Sequence, residues 1–251
     1  MKRAGSKSRL VQHLLPHIAQ VSHRCYVEPF CGTCSVLLAK PRSEVEVVND
    51  TDGCLVNALR QIQHHPDELL RQLTAVANSR EEFLLRKAQP GWTEIQRAAS
   101  YLYLNNLSFG GENKSYGVVR SSGGGASTPS SRIVRQTAAL HARLERVNVE
   151  RLDWERCVAL YDSPDTLFFC DPPYIGCKVN SYAAWTAPQV QRLHDVLFAI
   201  KGQWIVTLNE SAEVRGIFAG CRFTPILRQC QINKKCGHGK PYPEVIITPA
   251  S

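Results

Sequence analysis

The feature of this sequence with the clearest chemistry is a tetrapeptide that combines a carboxylate, two prolines and an aromatic ring. Asp171-Pro172-Pro173-Tyr174 follows directly after an apolar run at 167–170. A carboxylate at the end of a buried strand lies where open α/β sheets bind ligands. The prolines restrict the backbone and lack N–H groups, so their carbonyl oxygens can point outward as acceptors. Two acceptors beside a stacking ring suit a flat heterocycle that carries an exocyclic amine.

A second candidate site is the tight turn that follows a short apolar segment at 25–28. The turn reads Glu28-Pro29-Phe30-Cys31-Gly32 and leads into an apolar helical stretch. A turn of this kind brings backbone N–H groups and a helix N-terminus close to a ligand. It is not the dinucleotide-binding G-x-G-x-x-G pattern, because it has a single glycine. An ordinary strand–helix turn is therefore an equal alternative.

A third candidate is Asp50, which ends the apolar run at 45–49. It lies about twenty residues after the turn, which is the usual place for a carboxylate that binds ribose hydroxyls. Asp52 is a rival for that role. The plain structural alternative is an Asx turn at the end of a strand.

These residues need strands and helices to position them. Five short apolar runs, at 25–28, 45–48, 167–170, 204–208 and 244–248, predict strands that are covered on both faces. Helices are predicted from Asp67, over 96–107, and after Thr186, where Gln189 completes a capping box. The alternation of strand and helix predicts an α/β fold with a mostly parallel sheet.

The chain carries a clear positive charge. Of its 251 residues, 30 are Lys or Arg and 22 are Asp or Glu, so the net charge is +8. Such an excess favours a polyanionic partner. The Gly- and Ser-rich segment 110–131 is either a flexible surface loop or a basic loop that becomes ordered on a phosphate backbone.

The ten cysteines and the lengths of the apolar runs indicate whether the protein binds a metal and in which compartment it works. Cys31 and Cys34 form a C-x-x-C, and Cys230, Cys236 and His238 lie close in sequence, but neither group has a partner pair at zinc-finger spacing. We therefore expect no metal and reduced thiols. No apolar run reaches membrane-spanning length, and no signal-peptide core follows the basic N-terminus. The expected location is the cytoplasm.

Together these blocks resemble the Dam-type class of DNA adenine methyltransferases, which use S-adenosylmethionine. The blocks occur in the family's order over essentially the whole chain, and Asp171–Tyr174 matches the catalytic tetrapeptide, the most specific of them. The resemblance implies a Rossmann-like methyltransferase sheet, mostly parallel with helices on both faces. It also implies an inserted, mainly helical target-recognition subdomain at 58–147, between catalytic segments 1–57 and 148–251.

The resemblance also implies roles for individual residues. The catalytic residues are expected to be Asp171, Pro172, Pro173 and Tyr174. The cofactor is expected to contact Arg3, Lys7, Glu28, Phe30, Gly32, Asp50, Asp153 and Asp171. Contacts to DNA are expected from Asn105, Lys114, Arg120, Arg132 and Arg135. The implied reaction is methyl transfer to the amine of a flipped adenine in duplex DNA, by a monomer in a bacterial or phage-infected cell.

The sequence departs from the family pattern at several positions. Arg3 stands where an aromatic residue is usual, Ser6 and Cys34 replace glycines, and Asn106 stands where arginine is common. No hairpin typical of GATC-specific members is recognisable between 111 and 135, so that target is not implied.

Two alternatives stay open: a catalytically impaired DNA-binding relative, and a methyltransferase of the same fold acting on cytosine, RNA or a protein amide. The Asp at position 171 favours adenine as the substrate, whereas Ser or Asn at this position would favour cytosine, RNA or a protein amide. A nucleotide-binding α/β enzyme unrelated to methylation is disfavoured by the tetrapeptide.

Overall fold

A seven-stranded sheet forms the centre of the part of the molecule that the computed structural model describes. The model describes residues 10–108, 113–117, 129–176, 184–228 and 242–250, and within them only the backbone of 129–132, 227–228 and 242–243. The strands, in chain order, are β1 (Cys25–Glu28), β2 (Val45–Asn49), β3 (Val147–Glu150), β4 (Thr166–Cys170), β5 (Gln203–Asn209), β6 (Arg222–Arg228) and β7 (Tyr242–Thr248). Their order across the sheet is β3-β2-β1-β4-β5-β7-β6.

Strand direction decides where the functional residues meet. β1 pairs in parallel with β2 and β4, β2 with β3, and β4 with β5. Only the β5–β7 and β7–β6 pairs are antiparallel among the described strands. The carboxyl ends of β1, β2, β3, β4 and β5 therefore lie along one edge of the sheet. This arrangement confirms the predicted mostly parallel α/β fold.

The two outermost strands were not predicted from the sequence. β3 alternates apolar and polar residues, and β6 contains Pro225, so neither forms the continuous apolar run of a strand buried on both faces. Edge strands tolerate both features, because proline costs no ladder hydrogen bond on an unpaired side. Periodicity alone therefore found the central strands and β7, and missed the edges.

Helices cover both faces of the sheet. They are α1 (Val11–Ala19), α2 (Ser35–Ala39), α3 (Gly53–His64), α4 (Pro66–Thr74), α5 (Arg80–Ala88), α6 (Glu94–Leu107), α7 (Pro129–Leu144), α8 (Trp154–Tyr161), α9 (Ala187–Ala199) and α10 (Ala212–Ile217). One buried apolar cluster joins α1–α7 to one face, and a second joins α8–α10 to the other. Within the described ranges, no helix is long and apolar enough to cross a membrane.

The three predicted helices are present and begin within two residues of their predicted starts: α4 at Pro66, α6 at Glu94 and α9 directly after Thr186. α9 follows Thr186, whose backbone N–H donates to the Gln189 side chain at 2.9 Å. α6 starts after Thr93 in a second capping box, with Gln96 at the third helical position. In the described residues between β2 and β3 lie the helices α3–α7, and all of them except the start of α3 fall within the predicted insertion 58–147. The assignment of 58–147 to target recognition remains a prediction.

A buried ionic cluster ties α7 to the sheet and to α2. Glu46 on β2 accepts hydrogen bonds from Lys40 at 2.6 Å and from the Arg143 guanidinium, whose Nη2 lies 2.6 Å from Oε1. Arg143 also donates to the carbonyl oxygen of Leu37, at 2.9 Å. Burial raises the pKa of Glu46, but the hydrogen bonds from Arg143 and Lys40 outweigh it and lower the pKa overall. The cluster is therefore an ionised carboxylate held between two cations.

Removal of this carboxylate is expected to destabilise the fold strongly. Glu46→Ala leaves the buried Lys40 and Arg143 side chains without their counter-ion, which should lower the free energy of unfolding by about 3–5 kcal/mol. Urea unfolding measures this change. The matched control is Glu44→Ala, which removes an exposed ion pair with Arg24 and should leave unfolding nearly unchanged. Equal effects of the two variants would contradict the account.

Candidate active site

The acidic residue of the tetrapeptide stands at the carboxyl edge of the sheet and is held there by a neighbouring strand. Asp171 follows the last residue of β4, and its Oδ1 accepts a hydrogen bond of 2.8 Å from the Thr207 hydroxyl on β5. Pro172 is buried, whereas Pro173 and Tyr174 are partly exposed. The carboxylate is therefore anchored by the sheet, and an aromatic ring lies next to it in the chain.

The turn after β1 is closed by Asp50. The Asp50 carboxylate accepts hydrogen bonds from the backbone N–H groups of Gly32, at 3.1 Å, and Asp52, at 3.0 Å. Gly32 has a φ of +48°, which favours glycine, and a side chain at this position would meet no atom within 4 Å. The turn is thus shaped by a backbone conformation, and open space lies beside it.

Asn49 joins the ends of three strands. Its side-chain amide donates to the carbonyl oxygens of Pro29, at 2.9 Å, and Leu152, at 3.1 Å, and its oxygen accepts from the N–H of Leu152 at 2.7 Å. The residue is fully buried. The turn after β1, the end of β2 and the segment after β3 are therefore fixed relative to one another by one side chain.

Glu28 is a buried carboxyl group on the same edge. It accepts a hydrogen bond of 3.0 Å from the Tyr26 hydroxyl. Burial raises the pKa of Glu28 to about 8, although contacts with Tyr26, the Leu37 backbone and Lys40 act in the opposite direction, and the nearby charge of Asp171 adds to the rise. The carboxyl group is thus largely protonated near neutral pH and close enough to Asp171 to sense its charge.

Three aromatic rings link the turn after β1 to the chain on either side of the tetrapeptide loop. Phe30 lies 5.9 Å from Trp154 and 5.5 Å from Trp185, between ring centroids, and the two tryptophans are 6.0 Å apart. Trp185 forms an isolated bridge with Ile175, and its carbonyl oxygen accepts from Gly176 at 3.4 Å. The aromatic cluster therefore sets the distance between the turn and the loop that carries Tyr174.

The two cysteines of the C-x-x-C lie inside the turn. Cys34 adopts a left-handed backbone with a φ of +55°, a conformation that glycine adopts more easily than cysteine. Contact with the Cys34 thiol and burial raise the pKa of Cys31 well above its usual value. A free thiolate at Cys31 is thus disfavoured, which argues against a role as a nucleophile. Among the described residues, no three His, Cys, Asp or Glu side chains form a group that could hold a metal.

Comparison with known proteins assigns this arrangement to a family. The family model of the D12 class N6 adenine-specific DNA methyltransferases matches residues 4–228. The chain belongs to this family. A curated relative, the "Type II methyltransferase M1.LlaDCHI" of Lactococcus lactis subsp. cremoris, is 24% identical, with 84% of this chain and 80% of the relative covered. The protein is therefore an N6 adenine-specific DNA methyltransferase.

The residues predicted to contact the cofactor of this methyltransferase fall into two groups, one at the sheet edge and one outside the described residues. Glu28, Phe30, Gly32, Asp50, Asp153 and Asp171 lie in or next to the strand ends at one edge of the sheet. Asp153 caps α8, where its Oδ1 accepts from the Glu155 N–H at 2.9 Å. Asp52 likewise caps α3 by accepting from Cys54 and Leu55. Arg3 and Lys7 lie outside the described residues.

The residues predicted to contact DNA differ in their exposure to solvent. Lys114 and Arg135 are exposed, the first in the short described segment 113–117 and the second on α7. Asn105 is only 1% exposed within α6, which favours a structural role over contact with DNA. Arg120 and the side chain of Arg132 lie outside the described part. The DNA-binding roles of all these residues stay predictions.

Sequence reasoning missed Thr207, Asn49 and the aromatic cluster. A hydroxyl inside the apolar run 204–208 and an amide at the end of the run 45–49 were visible signals, because a polar group in a buried strand must find a partner. Trp154 and Trp185 gave no such signal, since their contacts join segments that are far apart in the sequence.

The burial of Glu28 predicts a pH-dependent stability. The unfolded chain ionises Glu28 near the usual pKa of 4.5, whereas the folded protein ionises it near 8. Folding therefore retains a proton between these values, and the contribution of Glu28 to stability is lost as the pH rises through this window. Glu28→Gln cannot ionise, so its stability relative to the wild type should increase between pH 5 and 8. Urea unfolding across this range measures the difference, and a pH-independent difference would refute the assigned burial effect.

Proposed function

We propose that this methyltransferase takes its methyl group from S-adenosylmethionine and delivers it to the exocyclic amine of an adenine flipped out of duplex DNA, with Asp171 and the Pro172 carbonyl as acceptors. The observation that carries the proposal is the anchored carboxylate of Asp171 at the edge where the turn after β1 and Asp50 also lie. When bound, the cofactor supplies a methyl group on a sulfonium, which is already electrophilic.

The fit to this cofactor is supported by the turn after β1. Open space lies beside Gly32, and the partly exposed Phe30 ring offers an apolar surface. We assign Asp50 to the ribose hydroxyls, since each carboxylate oxygen can accept more than one hydrogen bond. Asp153 would hold the adenine part, and Arg3 and Lys7 would add contacts from the N-terminal segment.

The role proposed for Asp171 follows from the low nucleophilicity of the adenine amine. An adenine amine is a poor nucleophile because its lone pair is delocalised into the ring. The amine would donate one hydrogen bond to the Asp171 carboxylate and one to the Pro172 carbonyl oxygen. These hydrogen bonds would favour rehybridisation of the nitrogen and stabilise the positive charge that develops on it. Tyr174 would stack on the base, and Pro173 would keep the loop in the conformation that presents the carbonyl. Alignment of nitrogen and methyl group supplies much of the remaining rate.

The net positive charge and the helical insertion support the proposed binding of duplex DNA. A duplex hides the adenine amine, so the base must leave the stack before it reaches Asp171. The excess of +8 suits contacts with phosphates, which hold the distorted duplex without reading its sequence. We assign these contacts to Lys114, Arg120, Arg132 and Arg135, and target recognition to 58–147. The enzyme is proposed to act as a monomer.

Asp171→Ala is the first test. We expect single-turnover methyl transfer to fall at least about 100-fold, because the main acceptor for the amine is removed, while the Kd for S-adenosylmethionine changes only a few-fold. Asp195→Ala, which removes an exposed carboxylate on α9, is the control and should transfer at the wild-type rate. An active Asp171→Ala variant would refute the catalytic assignment. A wild-type protein that binds the cofactor but transfers nothing would indicate an impaired relative.

Asp50→Ala and Asp52→Ala separate the two candidate ribose ligands. Loss of Asp50 removes the proposed ribose contact and the acceptor for the Gly32 N–H, so the Kd for S-adenosylmethionine should rise roughly 10-fold or more. Loss of Asp52 removes the cap of α3, which should lower stability by about 1 kcal/mol with little effect on this Kd. Calorimetric titration and urea unfolding give the two quantities. The reverse pattern would assign the ribose to Asp52.

A further inference from the structure

Thr207 is the one hydroxyl in an otherwise apolar strand interior. It stands in the run Trp204-Ile-Val-Thr207-Leu208 and is 1% exposed. Its neighbours in the run are fully or almost fully buried and belong to the two apolar clusters. A valine has nearly the same shape and would bury no polar group. The hydroxyl therefore needs a partner, since a buried hydroxyl without one costs about 1–3 kcal/mol.

The partner is the carboxylate of Asp171. The strands β4 and β5 pair in parallel with Cys170 opposite Val206, so Asp171 and Thr207 follow as the next positions in register. The Thr207 hydroxyl donates to Oδ1 of Asp171 at 2.8 Å. A hydrogen bond to a carboxylate is shorter and stronger than one between neutral groups.

The donor itself is rigidly placed. A β-branched side chain in a strand has a restricted χ1, so the hydroxyl has little freedom to leave its position. The central strand that carries it is paired on both sides, with β4 and β7. A hydrogen bond from such a donor restrains the rotation of the Asp171 carboxylate about its Cβ–Cγ bond.

We propose that Thr207 is a positioning residue for methyl transfer, which holds the Asp171 carboxylate in the orientation that meets the amine of the target base. This inference rests on the proposed function of Asp171 and deepens it. Thr207 itself touches neither base nor cofactor in this scheme. It acts by restricting the acceptor before the base arrives, and a loosened acceptor lowers the rate of the chemical step without lowering the affinity for either substrate.

The test compares variants that differ by one hydroxyl. Thr207→Val keeps the shape and removes the donor. Thr207→Ser and Thr207→Ala both lack the methyl group, and only the serine retains the hydroxyl, so their ratio isolates the hydrogen bond even if the valine variant folds poorly. The matched control is Thr166→Val. Thr166 is equally buried at the other end of β4, where its hydroxyl donates to the Tyr161 carbonyl oxygen at 2.8 Å.

The measurements are the single-turnover rate of methyl transfer at saturating DNA and S-adenosylmethionine, and the Kd of each substrate. We expect Thr207→Val and Thr207→Ala to transfer roughly 10- to 100-fold more slowly than wild type. Both should bind cofactor and DNA within about twofold. Thr207→Ser should recover most of the rate, and Thr166→Val should transfer at the wild-type rate once folded.

Three results would overturn the inference. The first is a wild-type rate in Thr207→Val or Thr207→Ala. The second is equal rates for the serine and alanine variants, and the third is a rate loss that only follows weakened substrate binding. The second or the third would make Thr207 merely structural. Failure of the proposed function is seen separately, because an active Asp171→Ala variant would remove the role of Asp171 whatever Thr207 does.

Discussion

Parallel pairing of β2, β1, β4 and β5 is the constraint on which the site depends. It brings the carboxyl ends of four strands to one edge, and each strand carries a polar residue at or near that end: Glu28, Asn49, Asp171 and Thr207. Asn49 locks the ends of β1, β2 and β3 together, and Thr207 locks β5 to the residue after β4. The turn after β1 and the carboxylate of Asp171, which we propose as the cofactor site and the acceptor for the amine, are thereby anchored to residues of the sheet.

The polar groups at this edge are held in place by contacts between the segments around them. The Glu46 cluster fixes α7 against β2 and α2, so the helical insertion is joined to the turn after β1 by buried ionic hydrogen bonds. The rings of Phe30, Trp154 and Trp185 connect the same turn to the tetrapeptide loop from the other face. Both sets of contacts join segments that are distant in the chain, so the distance between the turn after β1 and the tetrapeptide loop follows from the packing of the whole fold.

The central strands, β7, the helices α4, α6 and α9, and the acidic residues at strand ends could be predicted from the sequence, because continuous apolar runs, helical periodicity, the capping box at Thr186 and Asp-Pro-Pro-Tyr are local signals. The edge strands β3 and β6 could not, since alternation and Pro225 hide them. The sequence also could not show that Asn105 is buried, that Asp52 and Asp153 cap helices, or that Thr207 meets Asp171. Those facts arise from the register between strands and from helix packing, which no local pattern encodes.

The central claim is that an anchored carboxylate directs methyl transfer to the adenine amine. The most direct measurement is the incubation of the enzyme with labelled S-adenosylmethionine and unmethylated genomic DNA, followed by digestion and identification of the labelled base. We expect the label to be recovered as N6-methyladenine. Label recovered in cytosine, or no label under conditions in which the cofactor binds, would contradict this claim.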